Sequence, residues 1–154
     1  MTDVFTPTKR SAVMSAIRGS GNKDTELRMI TLLRAHGITG WRRNARILGK
    51  PDFVFRRELV ALFVDGCFWH GCPKPKHAPL PKTRTEWWAA KFARNKARDR
   101  EVTCALRKRG WRVLRVWECD LSNRGDWPRL ERRILNALIK AREEKGATAS
   151  KSGI

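Results

Sequence analysis

Leu59-Val60-Ala61-Leu62-Phe63-Val64 is an unbroken apolar run that stops at Asp65-Gly66. Its length suits a strand and is short for a helix, and no alternate position is polar, so neither face is meant for water. A strand buried on both faces must sit inside a sheet covered on both sides, which demands helices above and below it. Just upstream, Pro51-Asp52-Phe53-Val54-Phe55 and the polar turn Arg56-Arg57-Glu58 predict the other arm of a hairpin, with the run as a strand over 59–64. Residues 41–45 and 111–117 read as two further strands.

The helices follow from spacing and punctuation. A short helix is expected over 9–18, with Val13, Met14 and Ile17 on one side, broken by Gly19-Ser20-Gly21. Asn22 can cap a second over 23–36, whose buried stripe would be Leu27, Ile30, Leu32 and Leu33 and which Gly37 ends. Thr83-x-x-Glu86 reads as a capping box for the longest helix, 84–109, closed by Gly110. Asp126 can cap a last helix over 127–144. The order ααβββαβα predicts an α/β domain with a mixed sheet flanked by helices. The 154 residues suffice for one such domain with a real core, expected over 9–144, between a flexible lead-in (1–8) and a small, polar, disordered tail (145–154).

Charge narrows the partner. There are 34 Lys and Arg against 15 Asp and Glu, a formal net charge of +19. Repulsion on that scale opposes compaction unless a polyanion is the working partner, and nucleic acid is the first choice. No apolar run is long enough to span a membrane and none resembles a signal sequence, so an intracellular location with reduced thiols is expected. There, four cysteines are metal ligands or core residues rather than disulfides.

The chemistry concentrates around Val64-Asp65-Gly66-Cys67-Phe68-Trp69-His70-Gly71-Cys72. Because a hairpin folds back on itself, Asp52 at the start of one strand and Asp65 at the end of its partner finish close together. Two carboxylates at one sheet end suit Mg²⁺, which prefers hard oxygen ligands and leaves room for phosphate oxygens. His70 could activate a water or protonate a leaving oxygen near neutral pH. Taken singly, each is as easily a turn residue or a structural histidine; it is their convergence in a basic chain that argues for a site. Cys67, Cys72 and Cys119 form a second set, with Cys-x4-Cys a workable chelate spacing. Tetrahedral zinc would need one more ligand, His77 or His70, with His77 preferred because it leaves His70 for chemistry; Cys104 is expected to be buried mid-helix. Phe68-Trp69 lies in a loop with little core to enter, and Trp87-Trp88 cannot both face one core, so exposed rings among cations could wedge between base pairs. Trp41, Trp111, Trp117 and one of the helical pair are expected in the core. Lys91 and Asn95, one helical turn apart just after Trp88, are candidates for reading bases.

The stretch Asp65-Gly66-Cys67-Phe68-Trp69-His70-Gly71-Cys72-Pro73, preceded by Pro51-Asp52-Phe53-Val54, resembles the very short patch repair endonucleases. So do Thr83-x-Thr85-Glu86-x-Trp88, Asn95-x3-Asp99-Arg100 and Gly110-Trp111-Arg112-Val113-x4-Trp117-Glu118-Cys119, in the family's order from about Lys9 to Leu121. The resemblance implies a restriction-endonuclease-like, PD-(D/E)xK-type fold. It also implies Mg²⁺-dependent nicking on the 5′ side of the T in a T·G mispair left by 5-methylcytosine deamination. It implies Asp52 as principal Mg²⁺ ligand, His70 acting on the attacking water and Glu26 as an assisting acid. Phe68, Trp69 and Trp88 match an intercalating wedge, Cys67, Cys72 and Cys119 match ligands of a structural zinc, and Met14-x2-Ile17 resembles a helix gripping the minor groove. A MutL-type repair protein is the implied partner, a monomer suffices for a single-strand nick, and the implied location is the cytoplasm, at a prokaryotic nucleoid. Where some relatives have Thr and His, this chain has Val64 and Asp65. Val64 could therefore offer Mg²⁺ its backbone oxygen alone, and Asp65 is open between metal ligand and acid–base group. Two rivals remain: a restriction-type nuclease acting on matched DNA, and a non-catalytic zinc-containing DNA-binding module.

Overall fold

Strands β1 (Trp41–Arg43), β2 (Phe53–Phe55), β3 (Val60–Asp65) and β4 (Arg112–Trp117) form one sheet in that order. They are seen in a computed structural model that describes Thr6, Thr8, Lys9 and residues 25–74 and 79–151. β1 pairs antiparallel with β2 and β2 antiparallel with β3, whereas β3 and β4 are parallel, so the sheet is mixed, as the sequence predicts. Parallel neighbours need a crossover. It runs through α2 (Cys67–His70) and the long α3 (Thr85–Lys108), while α1 (Glu26–Ala35) precedes the sheet. After β4 come α4 (Glu118–Ser122), a 3-10 turn at Arg124–Asp126, and α5 (Trp127–Lys151).

The apolar run accounts for the layering. Val60, Leu62 and Val64 join a cluster with Met29, Leu32 and Leu33 of α1 and Leu130, Ile134 and Leu138 of α5. Ala61 and Phe63 join Leu106 and Val102 of α3 with Val113 of β4. Successive side chains of β3 therefore feed opposite cores, which is why all six of its residues are buried. Among the described residues, no helix is long and apolar enough to cross a membrane.

Several local expectations are overturned. In α1 the buried residues are Glu26, Met29, Leu32 and Leu33, while Leu27 is exposed; the helix is turned so that a carboxylate points inward to meet Arg43. The capping box at Thr83 does not form. The residue before α3 is Arg84, in the left-handed region, and the Thr85 hydroxyl donates back to the carbonyls of Pro81 and Lys82. Cys104 is exposed rather than buried: Val102 and Leu106 face the sheet, and a residue midway between them in an α-helix points the other way. The last helix does not stop near 144 but continues through Lys151. Arg142 donates twice to the buried Glu58 carboxylate, and Lys145 donates to the Arg57 carbonyl, tying that helix to the hairpin turn. The helix expected over 9–18, apart from Lys9, and Asn22, the cap expected for the second helix, lie outside the described residues.

Candidate active site and metal centre

The hairpin brings the two aspartates to one end of the sheet. In the β2–β3 register Phe53 faces Leu62, so Asp52, one residue before Phe53, stands beside the last residues of β3. Its Oδ2 accepts a hydrogen bond from the Val64 amide at 2.7 Å, next to Asp65. Burial pushes the Asp52 carboxyl up to about 6; the Val64 amide pulls the other way, and the charges of Glu26 and Asp65 push it further up. Glu26 reaches this end from α1, buried and ion-paired to Arg43 of β1. A buried carboxyl raised by the charges of two neighbouring acids would gain from a nearby positive charge, and its hard oxygen donors fit a divalent cation.

His70, at the end of α2, faces the same region. Its Nδ1 is 2.6 Å from Asp99 Oδ2 on α3 and 3.9 Å from Asp65 Oδ1. Arg115 of β4 donates from Nη1 to both oxygens of Asp65 at 2.9 Å, from Nη2 to the Asp99 carbonyl and from Nε to the Thr103 hydroxyl. Burial raises the Asp65 carboxyl, while Arg115 and His70 oppose the rise. Neither Asp99 nor Arg115 was singled out from the sequence as a site residue, although each left a signal. Asp99 lies one turn beyond Asn95 on α3, and Arg115 is a cation in the middle of an otherwise apolar strand segment, Val113–Val116.

Cys67, Cys72 and Cys119 meet in a buried cluster with Trp117 packed against it. Their sulfurs all lie within 4.8 Å of one another, and Cys72 and Cys119 are 3.8 Å apart. Two thiolates on one tetrahedral zinc with bonds of about 2.3 Å would be separated by about the same distance. Without a cation, burial favours the protonated thiol at two of them: Cys67 is pushed up to about 12 and Cys119 is also raised. The three thiols thus form a group that could hold a metal ion. Among the described residues no other trio of His, Cys, Asp or Glu closes as tightly, so the acids at the sheet end stand further apart than these sulfurs. His77 lies outside the described residues, and the Nδ1 of His70 is turned to Asp99.

The aromatics gather on the same side. Phe68 and Trp69 of α2 are half-buried and stand edge-on to each other, with Phe68 also against Trp88 and Phe92 of α3. Trp88 is buried beneath this group whereas its neighbour Trp87 is exposed, so the helical pair splits as its spacing requires. The Lys91 ammonium lies about 5 Å above the rings of Trp69 and Trp87. Asn95 donates its amide to the Trp69 carbonyl at 2.8 Å. Met14 and Ile17 lie outside the described residues.

The chain matches the family model described as DNA mismatch endonuclease Vsr over residues 2–74. It is 39% identical to "Type II nicking enzyme V.XorIIP" of Xanthomonas oryzae pv. oryzae, over 90% of this chain and 98% of that protein. It is 36% identical to "Type II nicking enzyme V.NmeAIP" of Neisseria meningitidis serogroup A, over 91% and 96%. It is 40% identical to "DNA mismatch endonuclease Vsr" of Escherichia coli K12, over 80% and 78%.

Proposed function

The chain belongs to the DNA mismatch endonuclease Vsr family, and we propose that it nicks one strand of double-stranded DNA on the 5′ side of the T in a T·G mispair, opening very short patch repair. The observation that carries this reading is the shared sheet end, where Asp52, bonded to the Val64 amide, and His70, bonded to Asp99, are presented together. On this reading the mixed sheet is a restriction-endonuclease-like fold.

Asp52 and the main-chain oxygen of Val64 would hold Mg²⁺, which when bound stabilises charge on the attacking and leaving oxygens. With Asp99 accepting from Nδ1, the His70 Nε2 is left to take a proton from water. Glu26, fixed by Arg43, adds negative charge that favours a cation beside Asp52. Cys67, Cys72 and Cys119, with His77 as fourth ligand, would hold a structural zinc that pins α2, and with it Phe68, Trp69 and His70, to the end of β4. Phe68 and Trp69 would enter the duplex, supported from below by Trp88, and a mispaired step costs less to open than a matched one. Lys91 and Asn95 touch the wedge itself, so they would brace it as well as contact bases. Met14 and Ile17 would grip the minor groove.

The deciding experiment is nicking of an end-labelled T·G duplex and its matched control with Mg²⁺ or EDTA. The expected result is a Mg²⁺-dependent cut in the T strand of the mispaired duplex. Asp52→Ala should abolish it while duplex binding survives, and His70→Ala should slow it about 10²–10⁴-fold. Equal cutting of both duplexes would point to a restriction-type nuclease, and no cutting of any DNA to a binding module.

A further inference from the structure

Arg115 contacts more of the candidate site than any role in strand pairing requires. It stands opposite Phe63 in the parallel β3–β4 register, and its guanidinium lies 4.4 Å above that ring on the sheet face covered by α3. From there Nη1 donates to both Asp65 oxygens at 2.9 Å and lies 3.6 Å from Asp99 Oδ1, while Nη2 reaches the Asp99 carbonyl and Nε the Thr103 hydroxyl, each at 3.3 Å. One side chain therefore joins the end of β3, the middle of α3 and β4.

His70 is why this matters. Two carboxylates lie near its Nδ1: Asp99 at 2.6 Å and Asp65 at 3.9 Å. Both could accept the same proton. Asp65 is buried and, without a cation, would be the hungrier acceptor and would repel Asp99. Arg115 satisfies both oxygens of Asp65 and anchors Asp99 through its main chain, so the imidazole is left with one partner. Both Asp65 oxygens are also drawn toward β4, away from an ion held by Asp52.

Building on the nuclease reading above, we propose that Arg115 is a positioning residue of this site: by occupying Asp65 and anchoring Asp99, it holds the His70 ring on Asp99 with its Nε2 free, and it removes Asp65 from the set of metal ligands. Arg115 acts on His70 only through these two acids. It never touches the reacting atoms.

The test begins without DNA or Mg²⁺, on zinc-replete protein labelled with ¹⁵N in its histidines, at a fixed pH where the imidazole is neutral. The His70 signal should show a single Nδ1–H tautomer in the parent and a mixture in Arg115→Met. Arg115→Lys, which keeps a cation beside Asp65, should restore most of the single tautomer. In nicking assays Arg115→Met should lower kcat about 10–100-fold with KM for duplex little changed. Adding Asp65→Asn to Arg115→Met should recover part of that loss, because a neutral amide oxygen competes for the His70 proton far less than a carboxylate does. Calorimetric titration of Mg²⁺ into the protein bound to duplex should give the same affinity for Asp65→Asn as for the parent, and a large loss for Asp52→Asn. An unchanged His70 tautomer in a folded Arg115→Met protein, or a loss of Mg²⁺ affinity in Asp65→Asn as large as in Asp52→Asn, would overturn the proposal. If Arg115→Met does not fold, the Asp65→Asn titration and the tautomer in Arg115→Lys decide it, a mixed tautomer in that variant counting against. The tautomer is read whatever the protein cuts, so a chain that nicks nothing would sink the nuclease reading and leave this measurement able to judge Arg115.

Discussion

Asp52 holds its proton to about pH 6 because the fold removes water from it and sets Glu26 and Asp65 nearby. Its ordinary value is 3.8, so between about pH 4 and 6 the folded chain keeps a proton that the unfolded chain has released. Folding is therefore favoured by Asp52 at the acid end of that window and loses this support as pH rises through it. In metal-free buffer, Asp52→Asn should raise stability by about 2 kcal/mol at pH 8, with the difference vanishing near pH 4. Denaturant titration at the two pH values checks this, and a variant weaker than the parent at pH 8 would contradict it. Binding of a divalent cation should supply the same relief to the unaltered protein. A residue that costs stability unless a cation is present is better explained by a reaction than by folding. The aspartates and His70 were legible as chemistry-bearing residues; that Asp65 is given to Arg115 and His70 to Asp99 was not, since both partners lie more than two dozen residues away in sequence.

At the scale of elements, α2 is four residues long and cannot hold itself. The cysteine cluster lies at one side of it and the α3 aromatics at the other. Removing the proposed zinc, by Cys72→Ser or a strong chelator, should therefore lower the melting temperature and release one zinc per chain by elemental analysis; a chain that carries no zinc when purified would refute the site. Phe68→Ala combined with Trp69→Ala should reduce the preference for T·G over matched duplex. Trp88→Ala should instead cost about 3–5 kcal/mol of stability, as a buried ring should, and Trp87→Ala much less. Chemical denaturation separates the two tryptophans. Strands were visible in sequence where burial on both faces makes the whole run apolar, as in β3 and the β2 hairpin arm. Helix ends were less so. The start of α3 depends on the left-handed Arg84 rather than on a cap, and the phase of α1 depends on an ion pair with a strand that a helical stripe cannot anticipate.

For the whole molecule, the excess of Lys and Arg is spread along the chain, and ion pairs neutralise part of it where packing requires, as at Glu58 with Arg142 and Asp65 with Arg115. The remainder should make duplex binding strongly salt-dependent. Raising salt from 50 to 200 mM should weaken binding more than about a hundredfold, as release of counterions from about four or more phosphates requires. Fluorescence anisotropy over that range measures the slope, and a nearly flat one would argue against a phosphate-tracking surface.

By itself the sequence determined the layered α/β plan, the hairpin that brings Asp52 to the end of β3, the basic character, and the cysteines that gather. Each of these follows from local period, chain reversal or composition. Only the tertiary structure decided which carboxylate faces His70, which one is neutralised, which tryptophan supports and which is exposed, and that Cys104 points to solvent. Those outcomes depend on how α1, α3 and β4 are rotated against the sheet. That rotation gives the buried Glu26, Glu58 and Asp65 cationic partners from other segments, Arg43, Arg142 and Arg115, which no one segment specifies by itself.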